Sequence, residues 1–355
     1  MHARDPLWVP PLRRDVRALL DRRRNPFFEH GEAEYFLALR NGQVVGRVAA
    51  IANRLHNEIH RDRVGFFGFF EVEQDEGRNV TDLLMRTVAE WARARGFDTL
   101  RGPASFSTND ECGLLIQGFD TPNTILMPHN PAWYPPLLEN TGFRRARDLL
   151  VYQGGSMTEV PEVPERLQRA TDLIRARLRL TVRTLDLGRF QQEVELIKEL
   201  YNRCWERNWG FVPMTDREID HLAVQFKPVV VPELVPIVEH EGVPIAFGLA
   251  LPDLNQVLRD NRSGRLFPAA FYLLWALKTR RFRRLRILLL GVAPEFRGKG
   301  VDALLYHCIW TAGLARGITW GEAGWILEDN TPMNLALQKM GFRHYKTYRM
   351  YDLPL

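Results

Sequence analysis

Cysteine is scarce in this chain of 355 residues. Its three cysteines, Cys112, Cys204 and Cys308, lie far apart, are odd in number and form no Cys-x-x-Cys pair. This pattern gives no sign of a disulfide framework or of a zinc site, and it is typical of a protein from a reducing compartment. The sequence therefore predicts a protein without a metal and a cytoplasmic location.

Long apolar runs are also missing. The longest, residues 266–277, falls short of the roughly 20 residues that a spanning helix needs, and the first residues contain no apolar signal core. Residues 266–277 end in a basic cluster, a pattern typical both of a helix that touches anionic lipid and of a buried helix with a solvated charged end. We therefore expect no membrane span, and peripheral contact with the inner face of the membrane stays open.

An excess of one charge sign is nearly absent. The formal net charge is only +5 on 355 residues, which favours anionic ligands but gives no indication of nucleic-acid binding. Hydrophobic residues make up 45% of the chain, enough to fill the cores of two ordinary domains. The composition thus allows a two-domain globular protein, and its charge favours anionic ligands or surfaces.

One stretch, residues 288–301, is present and informative. An apolar strand ends at a proline, and a basic turn with two glycines leads directly into a helix that begins at Val301. Backbone N–H groups and the positive helix end then point to one place, which suits a phosphate or pyrophosphate. Gly298 and Gly300 allow the backbone to approach a phosphate closely, and Arg297 and Lys299 add positive charge. The turn has neither the Lys-Ser/Thr ending of a P-loop nor the Gly-x-Gly-x-x-Gly of a dinucleotide fold.

This stretch resembles the acyl-CoA-binding turn of the GNAT N-acyltransferases. The resemblance continues through a strand near residues 318–326, the segment 328–330, a helix to Met340, and Gly341-Phe342 before a closing strand. It implies acetyl-CoA or a longer acyl-CoA as the donor substrate, with no metal. The donor-binding residues that it implies are Leu290, Val292, Arg297, Gly298, Lys299, Gly300, Val301 and Asn330.

The chain repeats itself once. Three pairs of segments match between the halves: residues 40–50 with 240–250, 65–72 with 286–292, and 135–143 with 334–342. The alternation of strands and helices predicts an α/β fold with a mixed sheet. We predict two tandem GNAT domains, residues 1–153 and 180–355, joined by a linker with a short helix at 154–179.

The first domain is predicted to be degenerate. Where the second half has its basic turn, the first has residues 74–79, in which Asp75 and Glu76 would face a pyrophosphate. Its role would be to shape the acceptor site or to support the fold.

The resemblance also implies a place for the chemistry. A β-bulge near Leu290, Gly291 and Val292 would free backbone N–H groups for the thioester carbonyl, so Gly291 and Val292 are predicted to be catalytic. Asn330 would bind the donor, or would only cap the last helix.

The proton-transfer groups are less well defined. The tyrosine that the family often carries in its last helix would fall at Leu337, so Tyr345, Tyr348, Tyr306 or a water would have to protonate the leaving thiolate; Tyr345 is our prediction. Glu322 is the predicted general base, and a surface ion pair is the alternative. Asp302, close to the pyrophosphate, is expected to turn away and cap or bind elsewhere.

Two polar and aromatic segments are predicted to bind the acceptor amine. The first, residues 101–113, contributes Ser107, Asn109, Asp110 and Glu111, unless it is only a turn-rich connection. The second, residues 201–213, contributes Trp205, Glu206, Asn208, Trp209 and Phe211, unless its aromatic residues only pack between the domains.

A closer resemblance covers nearly the whole chain. Residues 65–71, 107–112, 208–213 and 297–300 are similar to those of a group of bacterial tandem GNAT proteins, including the bacterial ceramide synthases, which acylate a long-chain base. It implies an acyl-CoA-dependent N-acyltransferase with an amine acceptor, preferably a long-chain one. A small-amine acetyltransferase, an acyl-CoA sensor without turnover and a transferase that takes aminoacyl-tRNA remain alternatives.

Overall fold

The computed structural model describes residues 5–205 and 209–355. Its strands are β1 (Gly31–Arg40), β2 (Gln43–Asn53), β3 (Val64–Val72), β4 (Thr99–Gly102), β5 (Leu114–Gln117), β6 (Arg144–Gly155), β7 (Leu180–Thr184), β8 (Pro236–His240), β9 (Val243–Pro252), β10 (Arg284–Val292), β11 (Trp320–Leu327) and β12 (Arg343–Pro354). Its α-helices are α1 (Arg13–Leu20), α2 (Arg54–His60), α3 (Gly77–Ala94), α4 (Tyr134–Asn140), α5 (Glu165–Arg177), α6 (Phe190–Trp205), α7 (Asp216–Phe226), α8 (Asn255–Leu258), α9 (Leu266–Lys278), α10 (Val301–Ala315) and α11 (Thr331–Lys339).

All the strands join one mixed sheet. Its order is β1-β2-β3-β4-β12-β6-β11-β10-β9-β8-β7, with β5 paired to β12 beside β4. The pairs β3–β4 and β10–β11 are parallel, and the other pairs are antiparallel. The predicted α/β class with a mixed sheet is therefore confirmed.

The two halves exchange their last strands. β6, which ends the first half, pairs with β11 of the second half, and β12, which ends the second half, pairs with β4 of the first. β6 and β12 also pair with each other and so join the halves at the centre of the sheet. Gly154 and Gly155, predicted to begin the linker, are the last residues of β6.

The hairpins that the repeat predicts are present in both halves. Asn41 and Gly42 connect β1 to β2 with φ angles of 51° and 76°, and Glu241 and Gly242 connect β8 to β9 with 51° and 80°. Two consecutive residues of positive φ form the turn that matches the twist of a two-residue hairpin. The repeat is thus visible in backbone conformation as well as in sequence.

Each half places a long helix after its parallel-paired strand. In α3, Val80, Leu84 and Val88 share a buried face at helical spacing, and each such side chain contributes about 1.5–3 kcal/mol by leaving water. In α10, Val301, Leu304 and Leu305 pack on Val238, Ile245 and Ala246 of the sheet. The helix predicted near residues 301–316 is confirmed as Val301–Ala315.

No helix within 5–205 or 209–355 has the length and apolar character needed to cross a bilayer.

Candidate acyl-donor and acceptor site

The sheet opens between β10 and β11. Only the first four residues of β10, Arg284 to Ile287, pair with β11; from Leu289 onward, β10 pairs only with β9. Peptide groups of β10 that point toward β11 beyond this fork are left without a strand partner. They are available to a ligand that enters the fork.

A β-bulge marks the point where the strands separate. The register between β10 and β9 shifts between Ile287 and Leu289, so the extra residue is Leu288. The bulge was predicted two to four residues later, at Leu290, Gly291 and Val292. These three residues lie in the open part of β10, and their predicted roles toward the thioester stay predictions.

The basic turn has the conformation that its glycines suggest. Gly298 and Gly300 have φ angles of 70° and 87°, and Gly300 is the N-cap residue of α10 with no side-chain cap bond. The first-turn N–H groups of α10 therefore have no capping side chain, and they point out of the helix end beside the fork. A Cβ on Gly300 would lie 2.5 Å from Ile174 Cδ1, so α5 closes one side of the turn.

The two basic side chains of the turn differ in their contacts. Arg297 donates from Nε to the Val292 carbonyl at 3.2 Å and from Nη2 to the Cys204 carbonyl at 2.8 Å. Lys299 is exposed, with its Nζ 5.0 Å from the Phe296 ring centroid. Arg297 thus braces the turn against β10 and α6, while Lys299 leaves its charge accessible.

The matching turn of the first half lacks these features. Gly77 has an ordinary helical φ of −47°, and Glu76 forms an ion pair with Arg40. When α3 and α10 are aligned at their first residues, Gln74, Asp75 and Glu76 stand in the places of Gly298, Lys299 and Gly300. Arg78, the basic residue of this segment, already lies within α3. The geometry agrees with the prediction that only the second half presents a phosphate-binding turn.

The open strand has two different faces. Leu290 and Val292 pack toward α10, whereas Leu289 packs with Tyr201 and Phe211 on the opposite face, beside α6. The open part of β10 therefore borders α10 on one face of the sheet and α6 on the other.

The structure brings the two predicted acceptor segments together on the α6 side. Thr108 Oγ1 donates to the Gly210 carbonyl at 2.9 Å, and Asn109 Nδ2 donates to the Val212 carbonyl at 2.8 Å. Asn109 Oδ1 accepts a hydrogen bond from the Tyr201 hydroxyl at 2.7 Å. These bonds join a loop of the first half to the second half, so the amide of Asn109 is already occupied by the protein.

The aromatic residues of the second segment pack tightly. Trp209 lies between two guanidinium groups, with Arg101 4.8 Å and Arg147 5.5 Å from its ring centroid. Phe211 is buried against Tyr201, at a centroid distance of 5.6 Å. Residues 201–213 therefore do pack between the two halves, as the alternative interpretation of this segment expected. Of the other predicted acceptor residues, Glu206, Asn208 and the side chain of Trp205 lie outside the described part of the chain.

Two carboxylates of the loop have raised pKa values. Burial raises the pKa of Asp110 to about 7, and the charges of Glu218 and Glu111 add to the rise. The Ser107 hydroxyl donates a hydrogen bond of 3.1 Å to Asp110, which lowers the pKa by a smaller amount. Glu111 is exposed to solvent, yet loss of hydration raises its pKa as well, and Arg286 and Arg47 lower it.

We expect Asp110→Asn to change the pH dependence of stability. The folded carboxyl keeps its proton up to about pH 7 while the unfolded one loses it near 3.8, so wild-type stability falls as pH rises between these values. The variant should lack this slope. Between pH 5 and pH 8 its free energy of unfolding, measured with urea, should rise by about 1–3 kcal/mol relative to that of the wild type. Asp260→Asn, at an exposed site, should keep the wild-type slope; a parallel slope in Asp110→Asn would contradict the raised pKa.

Glu322 lies in a buried polar cluster below the fork. Its carboxylate accepts hydrogen bonds from the hydroxyls of Thr124 and Tyr345, and its Oε1 is 3.6 Å from Nε of Arg286. Glu322 is 1% exposed, so the alternative of a surface ion pair is wrong. Arg286 also donates to the carbonyls of Ile125 and Gly324, at 2.8 and 2.9 Å.

The hydroxyls considered for proton transfer have different partners. Tyr345 donates to Glu322, and burial followed by the Glu322 charge raises its pKa far above the ordinary value. Tyr348 donates to the Pro128 carbonyl at 3.1 Å, and Tyr306 contacts the Met333 sulfur at 3.4 Å on the α10 side. Leu337, where the family's tyrosine would stand, is fully buried. The catalytic roles of Tyr345 and Glu322 stay predictions.

Two further residues of the donor side can be placed. Asn330 Oδ1 accepts a hydrogen bond from the Met333 N–H at 3.3 Å, so it caps α11. Asp302 does not cap α10, and it makes no hydrogen bond or ion pair with the residues that the structure describes. The expected cap or binding partner of Asp302 is not seen among these residues, and the expectation stays a prediction.

Sequence reasoning missed three residues that hold the site together. Arg286 pairs with Glu322, Thr124 donates a hydrogen bond to the same carboxylate, and Trp325 of β11 packs in the same apolar cluster as Cys112 of the acceptor loop. Arg286 and Glu322 each interrupt an apolar strand, which is a signal for a buried ion pair. Thr124 and Trp325 carry no comparable signal.

The fold is shared with solved tandem GNAT proteins. A tandem GNAT protein from the clavulanic acid biosynthesis pathway superposes with a TM-score of 0.52 at 13% identity, covering 93% of this chain and 84% of its own. A GCN5-related N-acetyltransferase from Sphaerobacter thermophilus gives a TM-score of 0.52 at 16% identity, covering 90% and 80%. The open fork, the glycine turn and this likeness define a tandem GNAT acyltransferase fold.

Full-length relatives give the family. The chain is 35% identical over 362 residues to a Caulobacter vibrioides protein named bacterial ceramide synthase, covering 100% of this chain and 92% of the relative. It is 34% identical over 355 residues to the Escherichia coli protein YghO, covering 98% and 88%. No protein-family model matches. The chain belongs to the family of these two proteins, and it is a GNAT-type acyltransferase.

Proposed function

We propose that this protein transfers an acyl group from acyl-CoA to the primary amine of a long-chain, sphingoid-base-like acceptor. The observation that carries the proposal is the fork between β10 and β11, with a phosphate-binding turn toward one face of the sheet and a carboxylate-bearing loop toward the other. The full-length likeness to a protein named bacterial ceramide synthase supports the long-chain acceptor.

The donor would lie along the fork. Its pyrophosphate would accept hydrogen bonds from the N–H groups of Gly298, Lys299, Gly300 and Val301, with Lys299 adding charge. The thioester would reach the open part of β10, where unpaired N–H groups near Leu290, Gly291 and Val292 can stabilise the negative charge that develops on its oxygen.

The acceptor would approach from the α6 side. Glu111 would attract the ammonium group and accept the proton that the amine must lose before it attacks. It would take the place of the predicted base Glu322, which is buried and already accepts hydrogen bonds from Thr124 and Tyr345. Ser107 and Asp110 would support that loop, and Leu289, Phe211 and Trp209 would form the apolar wall.

The reaction balances in a simple way. The neutral amine nitrogen forms a bond to the thioester carbon, the C–S bond breaks, the nitrogen releases one proton to water to give the amide, and the thiolate takes up one proton to give free CoA. Tyr345 is the proposed donor of that proton. The hydrogen bond to Glu322 would keep its hydroxyl fixed near the start of β11.

The proposal is tested with acetyl-CoA and palmitoyl-CoA against a sphingoid base, a short alkylamine and an amino acid, with free thiol and product mass as readouts. We expect thiol release and an amide with palmitoyl-CoA and the sphingoid base. Glu111→Gln should lower kcat/KM for the amine by about 10–100-fold, as expected for a lost general base, while CoA affinity stays unchanged. Glu90→Gln, exposed on α3, is the control.

Other outcomes would replace the proposal. Release of thiol with the small amines alone would assign a small-amine acetyltransferase. Tight acyl-CoA binding without thiol release for any amine would assign a sensor.

A further inference from the structure

Helix α9 is apolar on two opposite faces. Ala269, Leu273 and Ala276 recur at helical spacing and are buried against the core. The opposite side, called here the α9 outer face, is formed by five large side chains that are 44–73% exposed: Phe267, Phe271, Tyr272, Leu274 and Trp275. A contiguous exposed apolar patch of this kind marks a contact surface.

Cations surround this face. Residues 261–294 contain eight arginines and lysines and no aspartate or glutamate. Six of these cations are exposed at the two ends of α9: Arg262, Arg265, Lys278, Arg280, Arg281 and Arg283. Arg265, Lys278 and Arg280 form no ion pair with any described residue, so their charges are not neutralised by the protein.

More positive charge stands at the start of the helix. The Arg13 N–H donates to the Gly264 carbonyl at 2.8 Å, which places α1 beside the beginning of α9. Arg13, Arg14 and Arg17 of α1 are exposed, and Asp15 is the acidic residue among them. At the other end, the Arg281 guanidinium lies 4.4 Å from the Trp275 ring centroid and so links the cations to the apolar patch.

We propose that the α9 outer face docks onto an anionic lipid bilayer. Aromatic and aliphatic side chains would enter the interface, and each nearby cation would add about 1 kcal/mol of attraction to acidic head groups. A second copy of the chain is a poor occupant, because pairing through this face would bring the same cations together. The docking proposal does not rest on the proposed function. Only the idea that docking delivers a long-chain amine from the bilayer to the site rests on it.

The test is cosedimentation of the full chain with vesicles of phosphatidylcholine, with and without phosphatidylglycerol. We expect binding to the anionic vesicles at least about tenfold tighter than to the neutral ones, with release in about 0.5 M salt. Phe271→Ser with Trp275→Ser should lower that binding about tenfold or more at an unchanged melting temperature. Leu173→Ser with Val224→Ser, two side chains that are 71% exposed elsewhere, is the matched control.

A second variant separates charge from insertion. Arg280→Gln with Arg281→Gln should reduce the preference for anionic vesicles. No binding to either vesicle, equal binding to both, or a dimer seen by light scattering that the serine variant abolishes would overturn the proposal.

Acyl transfer to a detergent-dispersed amine separates this proposal from the proposed function. If the protein fails to bind vesicles but still acylates that amine, docking alone is wrong. If it binds vesicles and acylates no amine, the proposed function alone is wrong.

Discussion

Gly300→Val is expected to weaken acyl-CoA binding by at least about 100-fold. An L-residue at a φ of 87° costs about 1–2 kcal/mol, so valine favours another backbone conformation of the turn; its Cβ would also lie 2.5 Å from Ile174 Cδ1, the end of a flexible side chain that can move aside. A displaced turn loses its hydrogen bonds to the pyrophosphate, each worth about 1.5–3 kcal/mol with a charged partner. Losing two of them exceeds the roughly 2.8 kcal/mol that corresponds to a 100-fold change. Titration calorimetry with CoA measures the effect.

Gly317→Val is the matched control. Gly317 follows the other end of α10 with a φ of 81°, and a Cβ there would meet no atom within 4 Å. We expect a similar loss of stability from the backbone but an unchanged CoA affinity. If folded Gly300→Val binds CoA as tightly as wild type, the turn is not the donor site.

Glu322→Ala is expected to lower the free energy of unfolding by about 3–5 kcal/mol, because it leaves the Arg286 charge buried without its counter-charge. The hydroxyls of Thr124 and Tyr345 lose their acceptor at the same time. A loss of this size is a large part of the total stability of an ordinary domain, about 5–15 kcal/mol. Urea and thermal unfolding measure it.

Two further variants separate stability from chemistry. Glu165→Ala breaks an exposed ion pair with Arg169 and should cost less than about 1 kcal/mol. Glu322→Gln keeps the size of the side chain; if it is folded and inactive, the predicted catalytic role of Glu322 gains support. If Glu322→Ala is as stable as wild type, the buried cluster does not hold the two halves together.

Local signals account for the parts of the fold that could be predicted. Asn41 with Gly42 specifies a two-residue hairpin, and Gly298 with Gly300 specifies a left-handed turn before a helix; each depends only on neighbouring residues. The two acceptor segments were singled out by their polar and aromatic residues, and the hydrogen bonds of Thr108 and Asn109 that join them could not be predicted from that composition.

The parts that could not be predicted depend on distant partners. The bulge falls at Leu288 because the register with β9 shifts there, and residue spacing alone does not report register. Arg286 finds Glu322 across a strand pair, and Thr124 reaches the same carboxylate from the first half. β6 and β12 each follow a short helix and a Gly-Phe pair, so their sequences do not indicate with which half of the sheet each strand pairs.

The exchange of last strands has a consequence for synthesis on the ribosome. β12 is made after the other eleven strands, yet it occupies the middle of the sheet between β4 and β6. Until β12 has left the ribosome, β4 and β6 each present an open edge, and such edges are prone to pair with other chains. Domains usually fold one after another during translation, but here the first half cannot close before the second half has been made. The two copies of the repeat therefore fold as a single unit, and neither copy can complete its part of the sheet without a strand from the other.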